Sequence, residues 1–117
     1  LDNIIIVKKG RSINMSRVVQ EKYPFIIMYS SKEDKYIVYN QNKEFNQGHT
    51  HVRTLKQAQY MCDCVRKNKV PNNVNKYFII SLIRISTDRK YIEKLNIKLK
   101  AFNGSKGYRN VPQKGRK

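Results

Sequence analysis

The sequence has 117 residues, a length that suits one domain with a modest core and leaves no room for two large ones. Lys and Arg number 25 against 8 acidic residues, a formal charge of +17, so the chain repels itself and favours polyanions, nucleic acid first because each neutralised phosphate releases condensed counterions. The acidic residues are scattered except for Glu33 and Asp34, which offers no cluster for catalytic Mg²⁺ and speaks against an enzyme, and the apolar runs Ile4–Val7 and Tyr77–Ile80 fall far short of the ~18 to 20 residues that span a bilayer.

In chain order, Ile4-Ile5-Ile6-Val7 reads as a short strand followed by the basic turn Lys8-Lys9-Gly10-Arg11, and Asn14 to Lys22 is open between a helical turn and a loop, ended by Pro24. Two β-rich runs, Phe25–Tyr29 and Lys35–Tyr39, joined by the polar cluster Ser30–Asp34, predict a hairpin. His49-Thr50-His51-Val52-Arg53 alternates polar and basic residues with Thr50, Val52 and Thr54, which predicts a third strand with one solvent face. Thr54 with Gln57 forms a capping box, and Leu55, Ala58, Met61, Cys62 and Val65 line one face of the helix it opens. Pro71 and Asn72-Asn73 close that unit.

Tyr77 to Ile85 is apolar and β-branched, which predicts a buried strand, with Ser86-Thr87-Asp88 as a turn or cap. Residues 91–101 fit a helix through Tyr91, Ile92, Leu95 and Leu99, and equally fit a strand through Leu95, Ile97, Leu99 and Ala101. An echo links Phe25-Ile26-Ile27 before Asp34-Lys35-Tyr36-Ile37 with Phe78-Ile79-Ile80 before Asp88-Arg89-Lys90-Tyr91-Ile92, in which duplication of the hairpin competes with chance. From Asn103 to Lys117 the composition predicts a disordered basic tail. The expected organisation is thus an N-terminal strand and basic turn over residues 1–24, an α+β nucleic-acid-binding domain over 25–102 and a tail over 103–117. The fold expected for the domain is a small three-stranded antiparallel sheet packed on one amphipathic helix, with additional β-structure.

The segment Val52-Arg53-Thr54-Leu55-Lys56-Gln57-Ala58, followed by Met61 and Asp63, resembles the strand-to-helix junction of AP2-like DNA-binding domains, found in plant transcription factors and at the front of phage-type tyrosine integrases. The resemblance covers about residues 25–71, with Val52, Thr54 and Ala58 at the apolar, capping and helix-packing positions; the family's Gly and aromatic signature on the first strand is missing, and the chain has no Trp. It implies a helix on one sheet face and duplex DNA on the other, with Thr50 and Val52 toward the helix. His49, His51 and Arg53 would then face DNA, joined by Lys35, Ile37 and Tyr39 of the neighbouring strand. Lys32 and Lys43 beside this face, with Lys106, Arg109, Lys114, Arg116 and Lys117 of the tail, complete the expected phosphate and base contacts.

His49-x-His51 and Cys62-x-Cys64 supply zinc-ligand types in pairs. Helical residues two apart point about 200° apart, so Cys62 is expected in the core and Cys64 as an exposed thiol, with no metal and no other cofactor. The sequence shows no signal peptide, although it starts without Met, and the expected compartment is a reducing, intracellular one, the cytoplasm or nucleoid of a prokaryote or a nucleus. Sequence-preferring binding of duplex DNA is the leading expectation. RNA or a ribosome is the first alternative, and an acidic protein surface, as for a phage-type inhibitor, is the second.

Overall fold

The computed structural model describes residues 16–104. Its elements run β1 (Ser16–Lys22), β2 (Phe25–Ser30), β3 (Lys35–Asn40), β4 (His49–Val52), α1 (Leu55–Arg66), α2 (Lys76–Arg84) and α3 (Arg89–Gly104). The class is α+β, with a four-stranded antiparallel sheet in the order β1-β2-β3-β4. The expected strand at Ile4–Val7 lies outside the described residues, as does the tail expected over 103–117 except for its first two residues, which belong to α3.

The first difference from the sequence reading is β1. Ser16–Lys22 is neither helical turn nor loop but a strand, the outermost of the described ones on its side, paired from Ser16 opposite Ser30 to Lys22 opposite Phe25, with an irregularity between Val18 and Gln20 that leaves Val19 out of register. The β2–β3 hairpin forms where expected, with Ile27 opposite Val38 and Tyr29 opposite Tyr36. Its turn closes through the Asp34 amide donating to the Ser30 carbonyl at 2.8 Å, with Asp34 at φ 56°, a left-handed conformation that Asp tolerates better than most residues. Register then fixes the faces. Phe25, Ile27, Val38, Thr50 and Val52 turn to one side and are buried, and Phe25, Ile27, Val38 and Val52 join Ala58, Met61 and Cys62 of α1 in the core.

Thr54 caps α1 as the sequence predicts: its extended backbone stops the strand and its hydroxyl accepts from the Gln57 amide at 3.1 Å. The helix ends at Arg66, and Asn68 at φ 53° supplies the left-handed residue that follows it.

The expected strand at Tyr77–Ile85 is instead helix α2. Asn75 caps it, its side chain accepting from the Phe78 amide at 3.0 Å, and Ile79 and Leu82, three apart, are both fully buried. Tertiary burial of one helical stripe outweighs the β preference of isoleucine, which is a matter of tenths of a kcal/mol per residue. For residues 91–101 the open choice is settled as helix α3, whose first amides at Lys90 and Tyr91 are held by the Asp88 carboxylate at 2.9 and 3.3 Å. Tyr91 and Leu95 are buried while Ile97, which a strand would turn inward, is 69 % exposed. The Phe25 and Phe78 echo therefore marks no structural repeat: the first copy is a hairpin and the second two helices.

Cys64 is the last correction. It is fully buried rather than exposed, because α1 is covered on two sides: the sheet takes Ala58, Met61 and Cys62, and Cys64 lies near Tyr91 of α3, whose hydroxyl donates to the Lys69 carbonyl at 2.6 Å. Burial pushes the Cys62 thiol up to about 11 and raises Cys64 in the same direction, so both behave as small apolar groups. Among the described residues no helix is long and apolar enough to cross a membrane.

Candidate nucleic-acid interface

Alternation along β3 and β4 sends Lys35, Ile37, Tyr39, His49 and His51 to the face opposite the helices, with His51 opposite Ile37 and His49 opposite Tyr39. At its centre Ile37 and Met28 are buried, so the polar groups of this face gather at its β3–β4 margin.

The margin is built around aromatic rings. Phe45, a lone aromatic in the polar loop between β3 and β4, stacks on His49 at 4.1 Å with the planes 4° apart, and meets Tyr39 edge-on at 5.1 Å. His49 in turn lies edge-on to His51 at 5.1 Å. The His49 Nδ1 bonds the Phe45 carbonyl. Burial, the largest influence, holds its pKa below the usual value, so the ring is neutral near pH 7, donates from Nδ1 and keeps Nε2 as an acceptor. His51 is exposed and its Nδ1 lies 2.9 Å from the Glu33 carboxylate in the β2–β3 turn.

The loop that carries Phe45 is clamped to the end of α2. Lys43 Nζ donates to the carbonyls of Arg84 at 2.9 Å and Ser86 at 3.1 Å, and the buried Asn40 side-chain amide donates to Ile85 at 2.8 Å. From the other side, the Arg84 guanidinium donates to the carbonyls of His49 and Asn46, both at 2.8 Å. Gly48 completes the loop: a Cβ there would stand 2.6 Å from that of Lys43, closer than two carbons approach.

The expected contact residues therefore divide. Lys35, Tyr39, His49 and His51 come together on the helix-free face, and Arg53, one residue past the end of β4, is exposed with no partner among the described residues. Lys32 is exposed at the hairpin tip. Lys43 is spent within the fold: its ammonium lies over the last carbonyls of α2, where a positive charge is favourable, and partial burial followed by the Arg84 charge lowers its pKa. Tyr39 likewise gives its hydroxyl to the Lys43 carbonyl at 2.9 Å. Lys106, Arg109, Lys114, Arg116 and Lys117 lie outside the described residues.

Two groups escape the sequence reading. Phe45 had a signal, a large apolar residue isolated in a polar loop four positions before a histidine. Arg84 had none, since its partners are carbonyls 35 and 38 residues away. The two pairs of zinc-ligand types are kept apart, the histidines on the helix-free face and the cysteines in the core, and among the described residues no group of three or more His, Cys, Asp or Glu is placed to hold a metal. No family model, no curated protein and no solved structure matches this chain.

Proposed function

We propose that the chain binds nucleic acid, with duplex DNA as its target, read from the helix-free face of the sheet. The observation that carries this reading is the β3–β4 margin, where Lys35, His49 and His51 share a face that no described helix covers, with Arg53 exposed just beyond it, in a chain of charge +17. A twisted antiparallel sheet fits the major groove, whose base edges offer distinct donor and acceptor patterns. Val52 and Ala58, two of the residues that carry the AP2-like resemblance, are buried in one core, and the third, Thr54, caps α1, as in any strand that runs into a capped helix; β1, α2 and α3 lie outside the stretch that resembles the family.

In this reading the roles separate by chemistry. Arg53 and Lys35 supply positive donors for guanine or phosphate, and His49 presents an acceptor at Nε2. Glu33 orients His51 at the cost of a negative charge near the phosphates. Titration of the full chain with a selected duplex and a scrambled one, between low and near-physiological salt, tests it. The expected outcome is affinity that falls steeply with salt, each phosphate contact adding about −0.9 to the slope of log K against log salt, and a preference for the selected duplex. A flat salt response sinks the reading.

A second reading has its own observation. The rings of Tyr23 and Tyr77 are 70 % and 66 % exposed, far more than a core needs, and exposed aromatics stack on unpaired bases. Structured RNA that outcompetes duplex DNA would favour it.

A further inference from the structure

Helix α3 presents the densest row of uncommitted positive charge among the described residues. Its 16 residues make a rod about 24 Å long that packs on α2 and turns Tyr91 and Leu95 into the core, with Ile92, Leu99 and Phe102 half-buried on the same side. On the outward side Arg89, Lys90, Lys94 and Lys100 are exposed, interrupted by one acid, Glu93, and none of the four has an ion pair or side-chain hydrogen bond among the described residues. Lys98 differs: it is half-buried, with its ammonium 3.3 Å from the Asn72 side chain and over the Phe102 ring at 5.9 Å.

We propose that the outward side of α3 is a second nucleic-acid contact, one that follows phosphates and reads no bases. It rests on the nucleic-acid reading above and adds a surface apart from the sheet's helix-free face, since α3 belongs to the helical layer on the other side. Spacing suits the task. Lys90 and Lys94 are about 6 Å apart along the axis and about 40° apart around it, and Lys100 is about 9 Å further and about 120° round from Lys94, so the three long side chains fan over one broad side about 15 Å in length. Ile97, exposed in the middle of the row, meets sugar rather than water when the helix lies along a backbone. One exposed isoleucine is no wide apolar face, which distinguishes α3 from a helix that lies in an anionic membrane.

The test replaces Lys90, Lys94 and Lys100 together, by Gln in one variant and by Arg in another, in the full chain. Binding of a random duplex and of anionic phospholipid vesicles is measured from about 50 to about 200 mM salt, with circular dichroism to verify folding. If the three lysines each neutralise a phosphate, the Gln variant loses about 2.7 from the salt slope, so that its affinity falls about 40-fold less than that of the parent across that range. The Arg variant keeps the parent slope, and the ratio of selected to scrambled duplex affinity stays unchanged in both. A parent that binds with a steep slope which the Gln variant retains overturns the α3 contact and leaves the sheet-face reading standing. Loss of vesicle binding with the duplex slope intact also overturns it, in favour of a membrane surface. A parent that binds no nucleic acid overturns the reading beneath both.

Discussion

The two faces of β3 and β4 are made by the same ten residues of strand and differ in nearly every physical respect. On one side Val38, Thr50 and Val52 are buried, and even the polar groups are spent internally, the Thr50 hydroxyl lying 2.7 Å from that of Ser81 on α2. On the other side Lys35 and His51 are exposed, and the imidazole of His49 stays neutral because it is half-desolvated, not because it is paired. A one-residue slip of register would exchange the two sets, so the apolar face that anchors the helices also fixes where the polar groups point. Ile37 apart, which is buried on the second face, anchoring residues and candidate contact residues thus alternate along the strands, and substitutions can separate them.

The largest effect belongs to the anchoring face. Ile27→Ala, at a buried position opposite Val38, should cost about 2 to 5 kcal/mol in denaturant melts while the affinity of the folded fraction for duplex DNA stays as it was. Lost affinity in fully folded protein would blur the division. Arg53→Ala is the converse: it should remove about 1 to 3 kcal/mol of discrimination between a selected duplex and a scrambled one, and shift stability by less than about 0.5 kcal/mol. Equal weakening on both duplexes would move Arg53 from reading bases to holding phosphates. At the junction of the faces, Thr54→Ala should cost about 0.5 to 2 kcal/mol by removing the acceptor of the Gln57 amide, with the salt slope unaltered.

The smallest effect is one of pH. Folding keeps His49 neutral at pH values where the unfolded chain, with a pKa of about 6.5, already takes up a proton. This contribution is therefore intact above about pH 6.5 and is lost as pH falls from there toward the lower folded value. Urea midpoints measured between about pH 7.5 and 5.5 should decline more steeply for the parent than for His49→Gln. Parallel curves would mean that His49 is as well solvated folded as unfolded.

Local signals made β2, β3, β4 and the first helix legible. The polar cluster before Lys35 marked the hairpin turn, and Thr54 with Gln57 marked the helix start to the residue. β1 escaped because an edge strand with Arg17, Gln20, Glu21 and Lys22 has no clean alternation, and because its irregularity at Val19 shifts the period. α2 escaped because Ile79, Ile80 and Ile83 read as β-branched strand, although Asn75 three residues before Phe78 was a cap in plain view. Of the candidate site, the face assignment of His49 and His51 followed from period 2 alone. The capture of Lys43 by the end of α2 did not, since contacts 41 and 43 residues apart leave no local mark.

Among the described strands β4 is an edge of the sheet, and an edge strand is a template on which another chain can add by backbone pairing. Arg84 occupies the His49 carbonyl, so a would-be neighbouring strand has to displace a guanidinium before it can pair there, and brings its own backbone up to a fixed positive charge. The side chain that steadies the β4 carbonyl from α2 thereby also makes this end of the sheet a poorer template for a second strand.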